Sequence, residues 1–370
     1  MSARSKPPAK DGLAAKESRR LSPAVPALLD WFSAGKRWLP WREAPTPYRV
    51  WVSEIMLQQT RIEAVLPYFE RFMKDLPDIP ALSRVSPDRL MKLWEGLGYY
   101  SRARHLQAAA QIVTAQYGGS LPPDYDALRA LPGIGDYTAG AIASIAFGLP
   151  TPAVDGNVLR VLARLTGSRE DITRPAVRRE MTALAAALLP RDHPGEFNQA
   201  LMELGERVCL PNTMPDCDRC PLSAVCAVGH TPDAAELPVR APKKPRRIEN
   251  RTVFVVLSDE PQKRVLLHRR PPSGLLAGLW ELPNTLHGAL PPELPIDGEP
   301  VKLTDSRHIF SHIEWYMTGY AYTVAPFAPP PGYEWVSAAA LQTDRALPTA
   351  FRAYAQHLPE WLAVNREECV

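Results

Sequence analysis

Leu131-Pro-Gly-Ile-Gly-Asp-Tyr-Thr138 separates two runs whose apolar residues recur at helical spacing, and it decides how the first half of the chain reads. Gly133 and Gly135 permit positive φ and the close approach of another backbone. The helix that follows opens at Asp136 with unpaired N–H groups and the positive end of its dipole. Helix, tight glycine turn, helix is the pattern of a helix–hairpin–helix. Such a turn is an anion site, for which a DNA backbone is the obvious polyanion. An ordinary corner between helices is the alternative that the octapeptide alone leaves open.

Around this turn the first half is helical. Apolar residues spaced by three and four, as in Leu159-Arg-Val-Leu-Ala-Arg-Leu165, predict helices near 23–35, 48–59, 61–74, 87–96, 101–117, 124–131, 136–147, 156–166, 174–189 and 195–207. After about residue 250 the period changes. Stretches 251–257, 264–268 and 315–324 are rich in β-branched and aromatic residues and predict strands, with a final helix near 349–358. The expected organisation is a basic, disordered tail (1–20), a helical domain (21–230) with its hairpin at about 124–147 and a cysteine loop at 209–226, a Pro/Lys/Arg-rich linker (231–250), and an α+β domain (251–370).

At 370 residues, with 45% hydrophobic and 22% charged residues, the chain has room for two or three packed domains. No run reaches the roughly 18 apolar residues of a membrane helix, and the amino terminus has no apolar targeting segment. A cytoplasmic protein is expected, nucleoid-associated in a bacterium, without a membrane partner. The net charge of +3 is unevenly distributed: residues 1–20 hold six Lys/Arg against Asp11 and Glu17, and residues 240–251 hold six against Glu249. Such runs are first of all solvated tails or linkers and do not by themselves nominate a nucleic-acid binder.

Four of five cysteines, Cys209, Cys217, Cys220 and Cys226, crowd one loop with seven, two and five residues between them. Zinc ribbons usually present two close pairs a dozen or more residues apart, whereas all four thiolates here come from one loop, as iron–sulfur ligands often do. Spacing favours iron–sulfur and leaves structural zinc open. Cys369 reads as a free spectator. Two acids also stand out. Glu54 lies in the most apolar helix face of the first half, where an unpaired carboxylate is costly and tends to take up a proton, unless a salt bridge holds it. Asp155, in Ala153-Val-Asp-Gly-Asn157, stands at a helix start and reads equally well as an ordinary N-cap.

Taken in order, Ser53-Glu-Ile-Met-Leu-Gln-Gln-Thr60, Gly96-Leu-Gly-Tyr-Tyr-Ser-Arg102, Leu131 to Thr138, Val154-Asp-Gly-Asn157 and the cysteine loop resemble the endonuclease III superfamily. Within it they resemble MutY-type adenine DNA glycosylases, over about residues 23–360. The resemblance implies a mainly α helix–hairpin–helix core with a [4Fe–4S] cluster on the four cysteines. Its substrate would be double-stranded DNA holding adenine opposite 8-oxoguanine or guanine, and the protein would act as a monomer. Tyr137 stands where the bifunctional members carry a Schiff-base lysine; a phenol cannot form an imine. Base excision without strand cleavage is implied, against the rivals of a bifunctional lyase and a non-catalytic lesion-binding protein. One departure is seven residues, rather than the family's six, between Cys209 and Cys217.

Leu275 to Pro283 resembles a Nudix-type fold, but prolines after Pro283 forbid the glutamate-bearing helix that Nudix hydrolysis needs. Phe310-Ser-His312 matches the loop by which the MutY type detects the oxidised guanine. By the same resemblance, Glu54 protonates adenine and Asp155 stabilises or captures the sugar cation, the two-carboxylate logic of glycoside hydrolysis. Tyr137 and Asn157 orient the acid and its water. Gln59 and Tyr99 fill and wedge the gap left by the extruded base, with Gln58, Thr60 and Leu97 close by, and Trp41 and Arg42 line the adenine pocket.

Overall fold

The structure, a computed structural model, describes residues 13–242, 244–286 and 288–363; Cys369 lies outside them. The helices in chain order are α1 (Leu13–Leu21), α2 (Val25–Gly35), α3 (Pro40–Glu43), α4 (Pro47–Leu57), α5 (Ile62–Asp75), α6 (Ile79–Arg84), α7 (Pro87–Leu93), α8 (Ser101–Gln116), α9 (Tyr125–Arg129), α10 (Asp136–Phe147), α11 (Gly156–Thr166), α12 (Pro175–Leu188), α13 (Pro194–Arg207) and α14 (Asp233–Glu236). The ten helices expected from periodicity are all present, with ends shifted by a few residues.

The expected disordered tail needs correction over residues 13–20, which are helical. Glu17 and Leu21, four apart on one face of α1, are buried, and Arg20 ion-pairs with Glu17 at 2.6 Å while donating to the Leu165 carbonyl at 2.7 Å. Residues 1–12 lie outside the described range.

Two compact units emerge, one from residues up to Ser83 with His105–Pro242, the other from Arg84–Arg104 with residues from Lys243 onward. The boundary differs from the expected one because Arg84–Arg104 groups with the carboxyl-terminal half. Asp88 meets Arg269 at 3.1 Å and Arg345 at 3.5 Å, Glu95 accepts from the Leu347 amide at 2.6 Å, and Arg104 donates to the Ala277 carbonyl at 2.8 Å. None of these partners is near in sequence, so no local pattern announces them. The expected linker is also partly folded: α14 buries Ala234, Leu237 is buried after it, and the first strand already starts at Arg247.

The first unit packs around α11, whose Val158, Leu159, Val161 and Leu162 meet Leu28 and Phe32 of α2, Met181 and Leu184 of α12, and Phe197, Leu201 and Leu204 of α13. In the second unit, β1 (Arg247–Ser258), β2 (Arg264–Arg269), β3 (Trp280–Glu281), β4 (Asn284–Thr285), β5 (Val301–Lys302), β6 (Ser306–Ile309), β7 (Ile313–Val324) and β8 (Tyr333–Ser337) form one mixed sheet. Its centre is the parallel pair β1 and β7, in register from Arg247 opposite Ile313 to Ser258 opposite Val324. The two-residue period of β1 sends Val253, Val255 and Leu257 to one core, with Phe351 and Tyr354, and Phe254 and Val256 to the other, with Leu294 and Ile296. The expected last helix is broken into a 3-10 turn and two short helices, Arg352–Ala355 and Leu358–Trp361. Among the described residues, no helix lies between Asn284 and Val301.

Candidate active site and nucleic-acid interface

Helix α4 is capped by Thr46, which accepts from the Arg49 amide, and is buried on nearly every side. Glu54 is therefore only 6% exposed. The Tyr137 hydroxyl, from the first turn of α10, donates to Glu54 Oε2 at 2.6 Å. Burial pushes the Glu54 carboxyl up to about 7, and the nearby Asp155 charge adds to the rise, while the Tyr137 bond and the Arg42 charge oppose it. The same burial, with Glu54 and Asp155 nearby, pushes the Tyr137 phenol well above its ordinary value. Near neutral pH the Glu54 carboxyl is therefore close to its midpoint and can exchange a proton, while the phenol keeps its own.

Asp155 is the N-cap that its position allowed. Its Oδ1 caps α11 by accepting from the Val158 amide at 2.7 Å, and its Oδ2 accepts from Asn157 Nδ2 at 2.9 Å. Burial raises its pKa above the usual carboxylate range, and the bonds from Val158 and Asn157 work against that rise. The segment entering Asp155 is held by Asn198 of α13, which accepts from the Ala153 amide and donates to Ser144 Oγ and the Thr151 carbonyl. Gly140 admits it: a Cβ there would lie 2.2 Å from the Pro152 carbonyl oxygen. A cavity of about 740 Å³ is lined by Asp155, Asn157 and Arg160 together with Asn212 and Arg240.

Several residues of this site escaped the sequence reading. Arg160 bonds Asn157 Oδ1 at 3.1 Å and the carbonyls of Gly205 and Cys209 at 2.7 and 2.8 Å, so hydrogen bonds run from Asp155 to the first cysteine. Glu203 is 1% exposed and gathers Arg37, Arg42 and Arg207. The three-residue offset of Arg160 from Asn157 on α11 was a readable signal. The Glu203 cluster, assembled from α2, α3 and α13 and their flanks, had none.

Arg42 is thus engaged with Glu203 at 2.7 Å and Gln199 at 2.9 Å, and Trp41 is buried edge-on against Phe69. Just beyond α4, Gln58 donates to Thr138 Oγ1 at 3.3 Å, Gln59 takes a left-handed backbone (φ 59°), and Thr60 bonds back to the Gln58 carbonyl. In the hairpin, Gly133 has φ 77°, and a Cβ there would lie 2.7 Å from His105 Cβ. Gly135 corrects the expectation of positive φ: it is extended at φ −94°, and nothing lies within 4 Å of where its Cβ would be. Space for an approaching backbone is what it leaves.

In the second unit, Gly96 and Gly98 (φ 101° and 70°) turn the chain so that Tyr99 stands 45% exposed with φ 47°. Leu97 is buried. Arg102 donates to the carbonyls of Leu97 and Gly98, and its guanidinium lies 5.5 Å from the Tyr99 ring centre. Phe310, Ser311 and His312 form the turn between β6 and β7. Phe310 packs edge-on against His308 and Trp315 in the core, whereas Ser311 and His312 are exposed. The Ser311 and Tyr99 hydroxyls are 3.2 Å apart, within hydrogen-bonding distance.

Cys209, Cys217, Cys220 and Cys226 line one pocket. The longer Cys209–Cys217 span is closed by the Asp216 amide donating to the Val208 carbonyl, with Asn212 in the left-handed region and Leu210 and Met214 exposed. The loop bulges outward and keeps Cys209 with its partners.

A glycine hairpin beside a paired-carboxylate site, joined to a mixed-sheet domain, defines a helix–hairpin–helix DNA glycosylase. Residues 52–186 match the HhH-GPD superfamily of base excision DNA repair proteins, and residues 252–357 match the NUDIX domain family. A thermostable thymine-DNA glycosylase is similar at a TM-score of 0.52 and 28% identity, covering 56% of this chain and 96% of that one. The adenine DNA glycosylase of Rattus norvegicus is 36% identical, over 89% of this chain and 77% of the relative. That of Buchnera aphidicola subsp. Schizaphis graminum is 32% identical, over 78% and 84%. The chain belongs to the adenine DNA glycosylase family and is a DNA N-glycosylase of base excision repair.

Proposed function

We propose that this glycosylase removes adenine mispaired with 8-oxoguanine, or with guanine, from double-stranded DNA by hydrolysing the N-glycosidic bond and leaving the strand intact. The observation that carries the reading is the buried Glu54 carboxyl, pushed up to about 7 and held at 2.6 Å by Tyr137, with the Asp155 charge near enough to add to that rise. Adenine leaves poorly as an anion, so Glu54 gives its proton to N7 while Asp155 faces the developing oxocarbenium. Water then adds to the sugar carbon and returns its proton to Glu54. Tyr137 and Asn157 orient the acid and its water. A phenol bonded to Glu54, in place of an amine, supports hydrolysis over imine formation. The carboxylate pair favours an enzyme over a lesion-binding module.

Trp41 and Arg42 bound the pocket for the extruded adenine. Gln58, Gln59, Thr60, Leu97 and Tyr99 occupy and wedge the gap beside the lesion. Gly133 and Gly135 receive the backbone, and Phe310, Ser311 and His312 form the loop that distinguishes the oxidised base. The four cysteines hold a [4Fe–4S] cluster, which orders the loop around the exposed Arg219 for DNA contact. The residues fit that group: four cysteine sulfurs line one pocket, and Arg164 Nη1 donates to one of them at 3.2 Å. The protein acts as a monomer.

Single-turnover assays on duplexes with A opposite 8-oxoguanine, A opposite G, T opposite G, and thymine glycol, with and without alkali, test the reading. Adenine release followed by breaks only after alkali is expected; breaks without alkali would establish the lyase instead. Glu54→Gln and Asp155→Asn should each slow excision by at least about 10²-fold with duplex binding retained. A normal rate in either removes that residue from the mechanism.

A further inference from the structure

Arg164 is 1% exposed and, among the described residues, has no acidic partner. It sits one turn beyond Arg160 on α11 and lines the same pocket as the four cysteines. Its Nε donates to the Leu237 carbonyl at 3.0 Å; its Nη1 donates to the Leu210 carbonyl at 2.8 Å and to Cys209 Sγ at 3.2 Å. Its Nη2 is buried without any hydrogen-bond partner. The rest of the pocket is mostly apolar, with Val161, Leu165, Leu204 and Val208 on its walls.

A buried guanidinium that lacks an anion is costly, and an orphaned N–H on it adds to the cost. Neighbouring cations show how this interior ordinarily treats such charges. Arg37 and Arg42 share Glu203, while Arg160 is spread over Asn157 and two carbonyls. Arg164 meets two backbone carbonyls and the Cys209 sulfur. An iron–sulfur core held by four thiolates carries net negative charge, and hydrogen bonds and charges near its sulfurs set its potential.

We propose that Arg164 is the internal counter-ion of the cluster. It fixes the Cys209 thiolate through Nη1, offers Nη2 to a further sulfur, and favours the more negative, reduced member of the cluster's redox couple. The proposal rests on the four cysteines holding that cluster. Because the same guanidinium ties down the carbonyls of Leu210 inside the cysteine loop and Leu237 beyond it, it also links retention of the cluster to the chain that follows the loop.

The test compares the full-length parent with Arg164→Lys, Arg164→Gln and Arg164→Met, purified without oxygen. Iron and sulfide per chain, the rate of cluster loss to a chelator, and the one-electron potential at an electrode are measured. Gln and Met should lose the cluster about tenfold faster and shift the potential negative, by about 59 mV for each tenfold preference lost. Lys keeps the charge without the fork, so its potential should stay near that of the parent while cluster loss accelerates. If the neutral variants fail to fold, a Lys potential displaced from the parent's by about 59 mV or more overturns the proposal, because the charge is still in place. Faster loss at an unchanged potential in Gln and Met would reduce Arg164 to a packing role and overturn the proposal, as would parental values throughout. A parent chain without iron would instead sink the cluster assignment itself.

Discussion

Glu54 shows how a single residue's chemistry follows from its surroundings. Its carboxyl titrates near 7 because water is excluded and Asp155 is close. As the proton donor it must be neutral, so kcat/KM for excision, measured at subsaturating DNA, should fall as pH rises through about 7. Asp155 must be charged, and its own pKa is raised, so the rate should also fall on the acid side and give a bell-shaped profile. A flat profile between pH 6 and 9 would exclude Glu54 as the acid. Stability follows the same sign. The folded pKa lies above the unfolded value of 4.5, so the folded state holds the proton more tightly, and the resulting stability disappears as pH climbs through about 7. Glu54→Gln, a mimic of the protonated acid, should therefore match the parent near pH 5 and exceed it at pH 8, by about 1–3 kcal/mol. Urea midpoints at the two pH values check this.

At the scale of elements, the two hairpin glycines have different jobs. Gly133 occupies the left-handed region with His105 packed against its Cα, so Gly133→Ala should destabilise the fold by about 1–3 kcal/mol. Gly135 is extended and open, and alanine fits there without internal strain. Gly135→Ala should melt like the parent yet bind duplex DNA about tenfold more weakly, because its methyl group would stand where the hairpin is proposed to receive a phosphate backbone. Thermal melts and binding isotherms at fixed salt separate the two. Unweakened binding in Gly135→Ala would mean the hairpin does not receive the backbone.

Across the whole molecule, the second unit gathers the residues proposed to read the base opposite adenine. It takes Arg84–Arg104 as its own, and so brings the Tyr99 and Ser311 hydroxyls to 3.2 Å of each other. 8-Oxoguanine differs from guanine by a carbonyl at C8 and a proton on N7, features that a hydroxyl and an imidazole can sense. Ser311→Ala combined with His312→Ala should lower the preference for A opposite 8-oxoguanine over A opposite G by about 1–3 kcal/mol, leaving the A·G rate nearly unchanged. Single-turnover rates on both duplexes decide; equal losses on both would return the loop to a stabilising role.

Local order was readable in the sequence wherever it has a local cause. The helices of the first unit follow from apolar spacing, the hairpin from its proline and glycines, the strand character of β1 and β7 from β-branched and aromatic runs, and the missing Nudix helix from prolines. Order and spacing of motifs were enough to indicate the family. Tertiary structure alone decided what depends on partners far apart in the chain. It set the burial that lifts Glu54 and the Asn198 and Gly140 contacts that seat Asp155. It gathered arginines on Glu203, assigned Arg84–Arg104 to the second unit, and left Arg164 facing sulfur. A propensity or a turn is a property of neighbouring residues, whereas desolvation and charge pairing are properties of a place, and places exist only once the chain has folded.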